Sequence, residues 1–269
     1  MTPAEDLDLE HLRLERHPSG VAVVTLDLPE RRNMMDAAMT SSWVRVMDLL
    51  RQDAGLRAVV VTGAGQAFCS GGDTAWIGAG AGAGVEAMRS RMHEFYAAWL
   101  SVRALPVPTV AAVNGAAIGA GLALALACDL RVVAASAKVG VPFTSLGMHA
   151  GMATTWSLPE VAGLQVARDL LLTGRIIDGD EAVRLGLALR AVPTAQVLPQ
   201  ALELAATIAA RAPVATRLTT AALRGGGHAD HAAALQWEAL AQAVTLVTDD
   251  LQEGLAAQRE KREPRFTGD

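Results

Sequence analysis

Two clusters of small residues in this 269-residue chain are suited to binding a negative charge through main-chain amides. The first, Gly71 to Asp73, lies in the stretch GAGQAFCSGGDTAWI, and the second, Gly119 to Gly121, opens the apolar stretch GLALALAC. Small residues let a ligand approach the backbone closely, and the first N–H groups of a helix lack intrahelical partners and carry the positive end of its dipole. We expect the two turns, each of which follows a strand, to form one anion hole.

Each turn alone is weak evidence, because a glycine after a strand commonly serves only the geometry of the turn. Neither cluster contains a phosphate loop of the form GxxxxGK[ST], and neither has the GxGxxG form with its partner acid. The sequence therefore disfavours a nucleotide-binding fold and a nucleotide-dependent oxidoreductase.

Composition excludes several other classes of protein. Half of the residues are hydrophobic (51%), 19% are charged and the formal net charge is −5, which indicates a globular chain and disfavours nucleic acid as a partner. Cys69 and Cys128 lack metal-ligand spacing, so we predict no metal site and no disulfide. The acidic N-terminal segment has no apolar core, and no stretch approaches the roughly 20 apolar residues of a membrane span. We expect a cytoplasmic protein without a membrane span.

Hydrophobic patterning predicts an α/β fold. Runs rich in β-branched residues predict strands at 21–28, 57–63, 108–115 and 129–135, and a helix is predicted between the first two, with Met39, Trp43, Val46 and Leu50 on one face. From about residue 151 the pattern changes to successive helices. The glycine-rich stretch 78–85 predicts a mobile loop, either a lid or a plain connector.

Several blocks of the chain resemble successive blocks of the crotonase (enoyl-CoA hydratase/isomerase) superfamily. They occur in the family's order and cover nearly the whole sequence: LDLPERRNMMDAAM, VVVTGAGQAFCSGGDTAWI, the long block from AAVNGAAIGAG to SLPEVAG, LLLTGRIIDGDEAVRLGLALRAVP and the final KREPRFTGD. The resemblance implies an α/β fold with a ββα spiral core and a helical C-terminal trimerisation region. We place the core with its CoA site at 1–200 and the oligomerisation region at 201–269.

The resemblance also implies a ligand and an assembly. The substrates are acyl-CoA thioesters, the coenzyme A belongs to the substrate, no separate cofactor is needed, and the protein is a homotrimer or a dimer of trimers. An enolate-like oxyanion on the thioester carbonyl would be held by the backbone N–H groups of Gly72 and Ala120. The implied substrate-binding residues are Arg31, Arg32, Met34, Ser70, Gly71, Gly119, Phe143 and, from a neighbouring subunit, Lys261. Solvent-exposed positions remain the alternative for Arg31, Arg32 and Lys261.

The two glutamates of the family's hydratases are missing. The residue that would carry the first is Ala123, and the residue that would carry the second, after Pro142, is Phe143. Neither side chain can move a proton, and a positioned acid or base typically contributes roughly 100- to 10,000-fold in rate. Efficient hydration is therefore not expected.

Two titratable residues are candidate substitutes for these acids, each with a simpler alternative. His149 carries an imidazole, a common general acid or base, but a packed or surface imidazole is the commoner case, and Asp73 is more commonly a turn acceptor or helix cap. Two tryptophans, Trp76 and Trp99, are candidates for lining an acyl pocket, with core packing as their alternative.

These observations leave two hypotheses about function. The first is an enzyme of the enoyl-CoA hydratase/isomerase family, a lyase or isomerase of fatty acid metabolism, that keeps the oxyanion hole and uses an atypical proton carrier. The second is a catalytically inactive acyl-CoA carrier or regulatory protein that has kept the pocket and lost the acids.

Overall fold

A computed structural model describes residues 8–73, 75, 78, 82–226 and 230–269. The described strands are β1 (Leu12–Arg16), β2 (Val21–Leu26), β3 (Ala58–Gly63), β4 (Ala67–Cys69), β5 (Thr109–Val113), β6 (Ala116–Ile118), β7 (Leu130–Ala134), β8 (Val139–Gly140) and β9 (Arg190–Val192). The described α-helices are α1 (Ala37–Gln52), α2 (Val85–Leu100), α3 (Ala120–Ala127), α4 (Thr154–Ala162), α5 (Leu164–Thr173), α6 (Gly179–Arg184), α7 (Thr194–Ala209), α8 (Pro213–Ala221), α9 (His231–Thr245) and α10 (Asp249–Glu260).

The strands form two sheets. The large sheet has the order β1-β2-β3-β5-β7-β9, with β1 antiparallel to β2 and the other neighbours parallel. The small sheet has the order β4-β6-β8, and both of its pairings are parallel. The predicted α/β class is confirmed, with helices predominating after residue 151 as expected.

The centre of the large sheet is buried on both faces. All residues of β2, β3 and β5 are buried, which explains their continuous runs of valine and alanine, because parallel strands that are buried on both faces need no polar side. Helix α7 packs across β3, β5 and β7. The predicted domain boundary at residue 200 falls within this helix, and the division into 1–200 and 201–269 stays a prediction.

Helix α1 has the predicted buried face. Met39, Trp43, Val46 and Leu50 are completely buried, and the helix begins after Asp36, whose carboxylate accepts a hydrogen bond from Met39 N at 2.8 Å. Trp43 stacks on Trp99 of α2 with ring centroids 4.9 Å apart.

The expectation that Trp99 lines an acyl pocket is wrong. Its ring is completely buried, and its Nε1 donates to Thr40 Oγ1 at 3.0 Å, so it belongs to the core between α1 and α2. Trp76, the other candidate, lies outside the described residues, as does part of the glycine-rich stretch 78–85.

The C-terminal helices are attached to the core through Arg224, which follows α8 in a π-helical turn (222–226). Its Nε donates to Asp129 Oδ1 at 2.7 Å, and its Nη1 donates to the carbonyl oxygens of Arg103 and Leu105. Beyond this turn, α9 contains no buried residue. Its apolar side chains Leu235, Leu240 and Val244 are exposed in the single chain.

Candidate functional site

The small sheet brings three chain segments to one edge. Its strands are parallel, so the residues that follow β4, β6 and β8 leave the sheet on the same side. These residues are Gly71 and Gly72 after β4, Gly119 and Ala120 after β6, and Phe143 shortly after β8. Both glycine turns of the sequence therefore lie at this edge.

The two turns are in direct backbone contact. A Cβ atom added to Gly71 would lie 2.9 Å from Ile118 O and 3.5 Å from Ala120 N, and one added to Gly121 would lie 2.1 Å from Cys69 O. A side chain at Gly121 would force the backbone of β4 and α3 apart. Gly71 also has φ +101°, a conformation that residues with side chains rarely adopt. Glycine is therefore required at both positions for the turns to meet.

The backbone N–H groups at the start of α3 take no part in the hydrogen bonds of the helix itself. Gly119 has φ 57° and ψ −117°, its N–H donates to Gly140 O at 2.9 Å, and the first helical bond runs from Ala123 N to Gly119 O. Ala120 N therefore has no intrahelical acceptor. Within the described residues, neither Ala120 N nor Gly72 N donates to a protein atom. The two amides are available to an oxygen atom of a ligand.

Helix α3 is entirely buried, and a charged side chain caps its C-terminal end but not its N-terminal end. At the C-terminal end, Arg131 Nη1 donates to Cys128 O at 2.7 Å and to Ala125 O at 3.3 Å, which satisfies carbonyl groups that the helix leaves unpaired. At the N-terminal end, no charged side chain takes the corresponding place among residues 114–123. The positive end of the dipole thus faces the edge of the small sheet, and residues 114–123 supply no anion to it.

Apolar groups occupy the two positions, 123 and 143, at which the resemblance leads us to expect the lost glutamates. Ala123 is 1% exposed on α3, and the Phe143 ring lies over the turn, with Cε1 and Cζ each 3.8 Å from where a Cβ of Gly119 would be. Burial raises the pKa of the nearby Cys69 thiol to about 12, so this thiol is protonated at neutral pH and a poor nucleophile. Asp73 is the single carboxylate in the turn segments 69–73 and 114–123.

The segment expected to hold the coenzyme runs alongside the first turn. Met35 N donates to Gly71 O at 2.8 Å, and Ser70 N donates to Arg32 O at 3.0 Å. Arg31 and Arg32 are exposed at the end of a short 3₁₀ helix (29–31), and Met34 is half-buried beside them. The structure therefore brings these residues to Ser70 and Gly71.

The remaining predicted site residues have surface or turn contacts. Asp73 Oδ1 accepts a hydrogen bond from Ala75 N at 2.9 Å, and exposed His149 has Nδ1 2.7 Å from Ala150 O. Lys261 ends α10 in the left-handed conformation and is exposed. In the described part of the chain, no contact joins Lys261 to the other site residues.

Sequence reasoning missed two residues near the site. Buried Asn33 fixes the first turn, because its Oδ1 accepts from Leu28 N and its Nδ2 donates to Ala67 O at 2.8 Å. An asparagine in a turn segment was the available signal for it. The second residue is Tyr96 of α2, the single tyrosine of the chain, whose hydroxyl lies against Gly151.

The family model for enoyl-CoA hydratase/isomerase matches residues 16–269. The chain belongs to this family. It is 36% identical over 259 residues to enoyl-CoA hydratase domain-containing protein 2, mitochondrial, of Bos taurus, covering 93% of this chain and 85% of the relative. Its structure is similar to that of an enoyl-CoA hydratase from Bacillus anthracis, with a TM-score of 0.90, 33% identity and coverage of 97% of this chain and 100% of the other.

A second solved structure, an enoyl-CoA hydratase from Polaromonas sp. JS666, has a TM-score of 0.88 at 28% identity, with 95% of this chain and 99% of that chain covered. The family binds acyl-CoA substrates, and its fold has the ββα core and helical C-terminal region that the resemblance implied. No helix among the described residues is long and apolar enough to cross a membrane. In the same residues, no three His, Cys, Asp or Glu side chains are grouped as metal ligands would be.

Proposed function

We propose that this chain binds acyl-CoA thioesters and stabilises an enolate oxyanion with the backbone N–H groups of Gly72 and Ala120. The observation that carries the proposal is the contact between the two glycine turns, which leaves both amides at one edge of the small sheet without acceptors in the described part of the chain. An oxyanion-hole donor is worth roughly 100- to 1000-fold in rate. Such a hole lowers the barrier of any reaction that passes through a thioester enolate.

The coenzyme portion would lie along Arg31, Arg32, Met34 and Ser70. Guanidinium groups pair well with phosphate oxygens, and both arginines are exposed beside the turn. The acyl portion would lie beside the Phe143 ring, where the site is apolar. Lys261 of a neighbouring subunit would contact the CoA phosphates.

The apolar residues at 123 and 143 define the kind of catalyst we propose. This chain cannot act as a lyase or isomerase that transfers protons through two glutamates at these positions. Proton transfer would have to come from another group, with His149 and Asp73 as the candidates from sequence. The same apolar residues favour a second function, an acyl-CoA carrier or regulatory protein without turnover.

Turnover and affinity measured together distinguish the two functions. Purified protein is mixed with crotonyl-CoA and longer enoyl-CoAs, the loss of the conjugated thioester absorbance is followed, and affinity is measured by calorimetry. We expect binding with slow turnover that falls in His149→Ala or Asp73→Asn. Binding without turnover would favour the carrier. Hydratase-level turnover that neither substitution changes would contradict our account of the missing acids.

Assembly and location are part of the same proposal. A homotrimer or dimer of trimers is supported by the exposed leucines and valine of α9, which need a covering surface. We propose a cytoplasmic location, where coenzyme A thioesters are used in fatty acid metabolism. Light scattering after size exclusion tests the assembly, and a monomer at micromolar concentration would contradict it.

A further inference from the structure

Tyr96 carries a hydroxyl group without a hydrogen-bond partner among the described residues. The side chain is half-buried on α2, and burial alone perturbs the pKa of its phenol. Tyrosine hydroxyls that leave solvent usually find a partner, because an unpaired polar group is costly to bury. The hydroxyl oxygen is not among the fully buried polar atoms that lack a partner in the described residues, so it keeps some contact with solvent.

Its contact with Gly151 connects this hydroxyl to the loop that also carries Phe143 of the proposed acyl site. A Cβ atom added to Gly151 would lie 2.5 Å from the Tyr96 hydroxyl oxygen and 3.0 Å from its Cζ, so the phenol is pressed against the Gly151 backbone. Gly151 ends the loop that begins at Phe143, and Met148 N donates to Phe143 O at 3.0 Å, which folds the loop back on itself. Three residues span at most about 11 Å, so Gly151 lies within that distance of Met148.

The helices around the site agree with this placement. Helix α2, which carries Tyr96, packs against α3, whose first residue is Ala120. Helix α4, which begins just after Gly151, also packs against α3. On α2, Met88, Met92 and Phe95 lie on the same face of the helix as Tyr96 and are half-buried. Tyr96 therefore adds a polar group to the C-terminal part of an otherwise apolar helix face.

We propose that the Tyr96 phenol is the proton donor to the α-carbon of the enolate held by Gly72 and Ala120. This inference rests on the proposed function, and it supplies one of the two proton-transfer groups that the apolar residues at 123 and 143 cannot supply, with His149 and Asp73 as the candidates for the other.

In the step, the electron pair of the enolate C=C bond forms a new C–H bond with the phenolic proton, and the O–H bond of Tyr96 breaks. The thioester C=O bond is restored, and the phenolate left on Tyr96 takes a proton from solvent water. Burial raises the pKa of the Tyr96 phenol, so the group is protonated at neutral pH and ready to donate. An enolate carbon is much more basic than a phenolate, so the transfer is downhill. Microscopic reversibility makes the phenolate the base in the opposite direction.

The reverse step gives a direct assay. Butyryl-CoA, which has no double bond to hydrate, is incubated with the protein in D₂O, and deuterium entering the α-carbon is measured by mass spectrometry. We expect exchange by the unsubstituted protein and a loss of roughly 100- to 10,000-fold in Tyr96→Phe, with butyryl-CoA affinity within about twofold by calorimetry. The matched control, Glu94→Gln, changes an exposed residue of the same helix and should exchange normally.

A second variant moves the hydroxyl without removing it. Gly151→Ala places a methyl group where the phenol lies, so Tyr96 must shift by about 1 Å, and a displacement of that size can cost roughly 100-fold in rate. We expect exchange to fall while thermal unfolding stays within a few degrees of the unsubstituted protein. A folded Tyr96→Phe protein that exchanges at the unsubstituted rate would overturn the role of Tyr96.

The same assay keeps this inference separate from the proposed function. If Gly72→Pro abolishes exchange and Tyr96→Phe does not, the oxyanion hole stands and the inference about Tyr96 fails. If the unsubstituted protein binds butyryl-CoA and shows no exchange, both the enolate chemistry and the role of Tyr96 are overturned.

Discussion

The two sheets of this protein differ in what they contribute. The large sheet has central strands of five or six residues that are wholly buried, and it forms the core with α1 and α7. The small sheet has strands of two or three residues, yet its ends carry both glycine turns and Phe143. The region whose strands are hardest to recognise in the sequence therefore holds the backbone N–H groups that we propose as the oxyanion hole. The small sheet is held by close backbone contacts rather than by side-chain volume.

The sharpest test of this comparison is the substitution Gly121→Ala. Its Cβ would lie 2.1 Å from Cys69 O, so β4 and α3 must separate. We expect α-carbon exchange of butyryl-CoA to fall roughly 100-fold, because the amides of Gly72 and Ala120 lose their spacing. The free energy of unfolding should fall by about 1–3 kcal/mol, measured by urea denaturation.

A matched substitution elsewhere is the control. At Gly55, an added Cβ would meet only Asp53 Oδ1 at 3.4 Å, which is an ordinary contact. Gly55→Ala should change neither exchange nor unfolding appreciably. Exchange at the unsubstituted rate in Gly121→Ala would show that the spacing of the two turns does not matter.

The second prediction concerns the centre of the large sheet. Val60 is completely buried in β3, and Val60→Ala removes two carbon atoms and leaves a cavity. We expect the free energy of unfolding to fall by about 2 kcal/mol, while acyl-CoA affinity of the folded protein stays the same. A large loss of affinity with little loss of stability would break the division of roles between the sheets.

The extent of sequence prediction follows the same division. Strands β2, β3, β5 and β7 were predictable, because long β-branched runs bounded by turn residues carry a strong signal. Strands β4, β6 and β8 were missed, since two or three residues inside glycine-rich stretches show no periodicity. Strand β1 was missed although Leu12 and Leu14 alternate with charged residues, and β9 was missed because it is short and lies among helices.

The candidate site shows a similar limit. The sequence indicated which turns contain the amides of Gly72 and Ala120, because the glycines and the resemblance agree. It could not indicate Tyr96, since the contact between α2 and the Gly151 loop joins segments 55 residues apart and leaves no local pattern. The expected pocket role of Trp99 was wrong for the same reason, because its stacking partner Trp43 lies far from it in the sequence, on α1.

The third and smallest expected effect uses two cysteines as probes of the two regions. Cys69 ends β4 of the small sheet, and Cys128 lies two residues before β7 of the large sheet. Burial raises the pKa of each thiol to about 12, so both are protonated and react slowly with an aromatic disulfide at pH 8.

We expect saturating butyryl-CoA to slow the labelling of Cys69 several-fold and to leave the labelling of Cys128 unchanged. Cys69→Ala and Cys128→Ala identify which thiol reacts, and equal protection of both would count against a ligand at the small sheet.

The most direct measurement is a crystal structure of the protein with butyryl-CoA bound. We expect the thioester oxygen to lie 2.7–3.1 Å from the amide nitrogens of both Gly72 and Ala120. We also expect Phe143 and Ala123 to line the acyl carbons, with no carboxylate other than that of Asp73 near them. A thioester oxygen distant from both amides, or a carboxylate other than that of Asp73 over the α- and β-carbons, would contradict the proposed site.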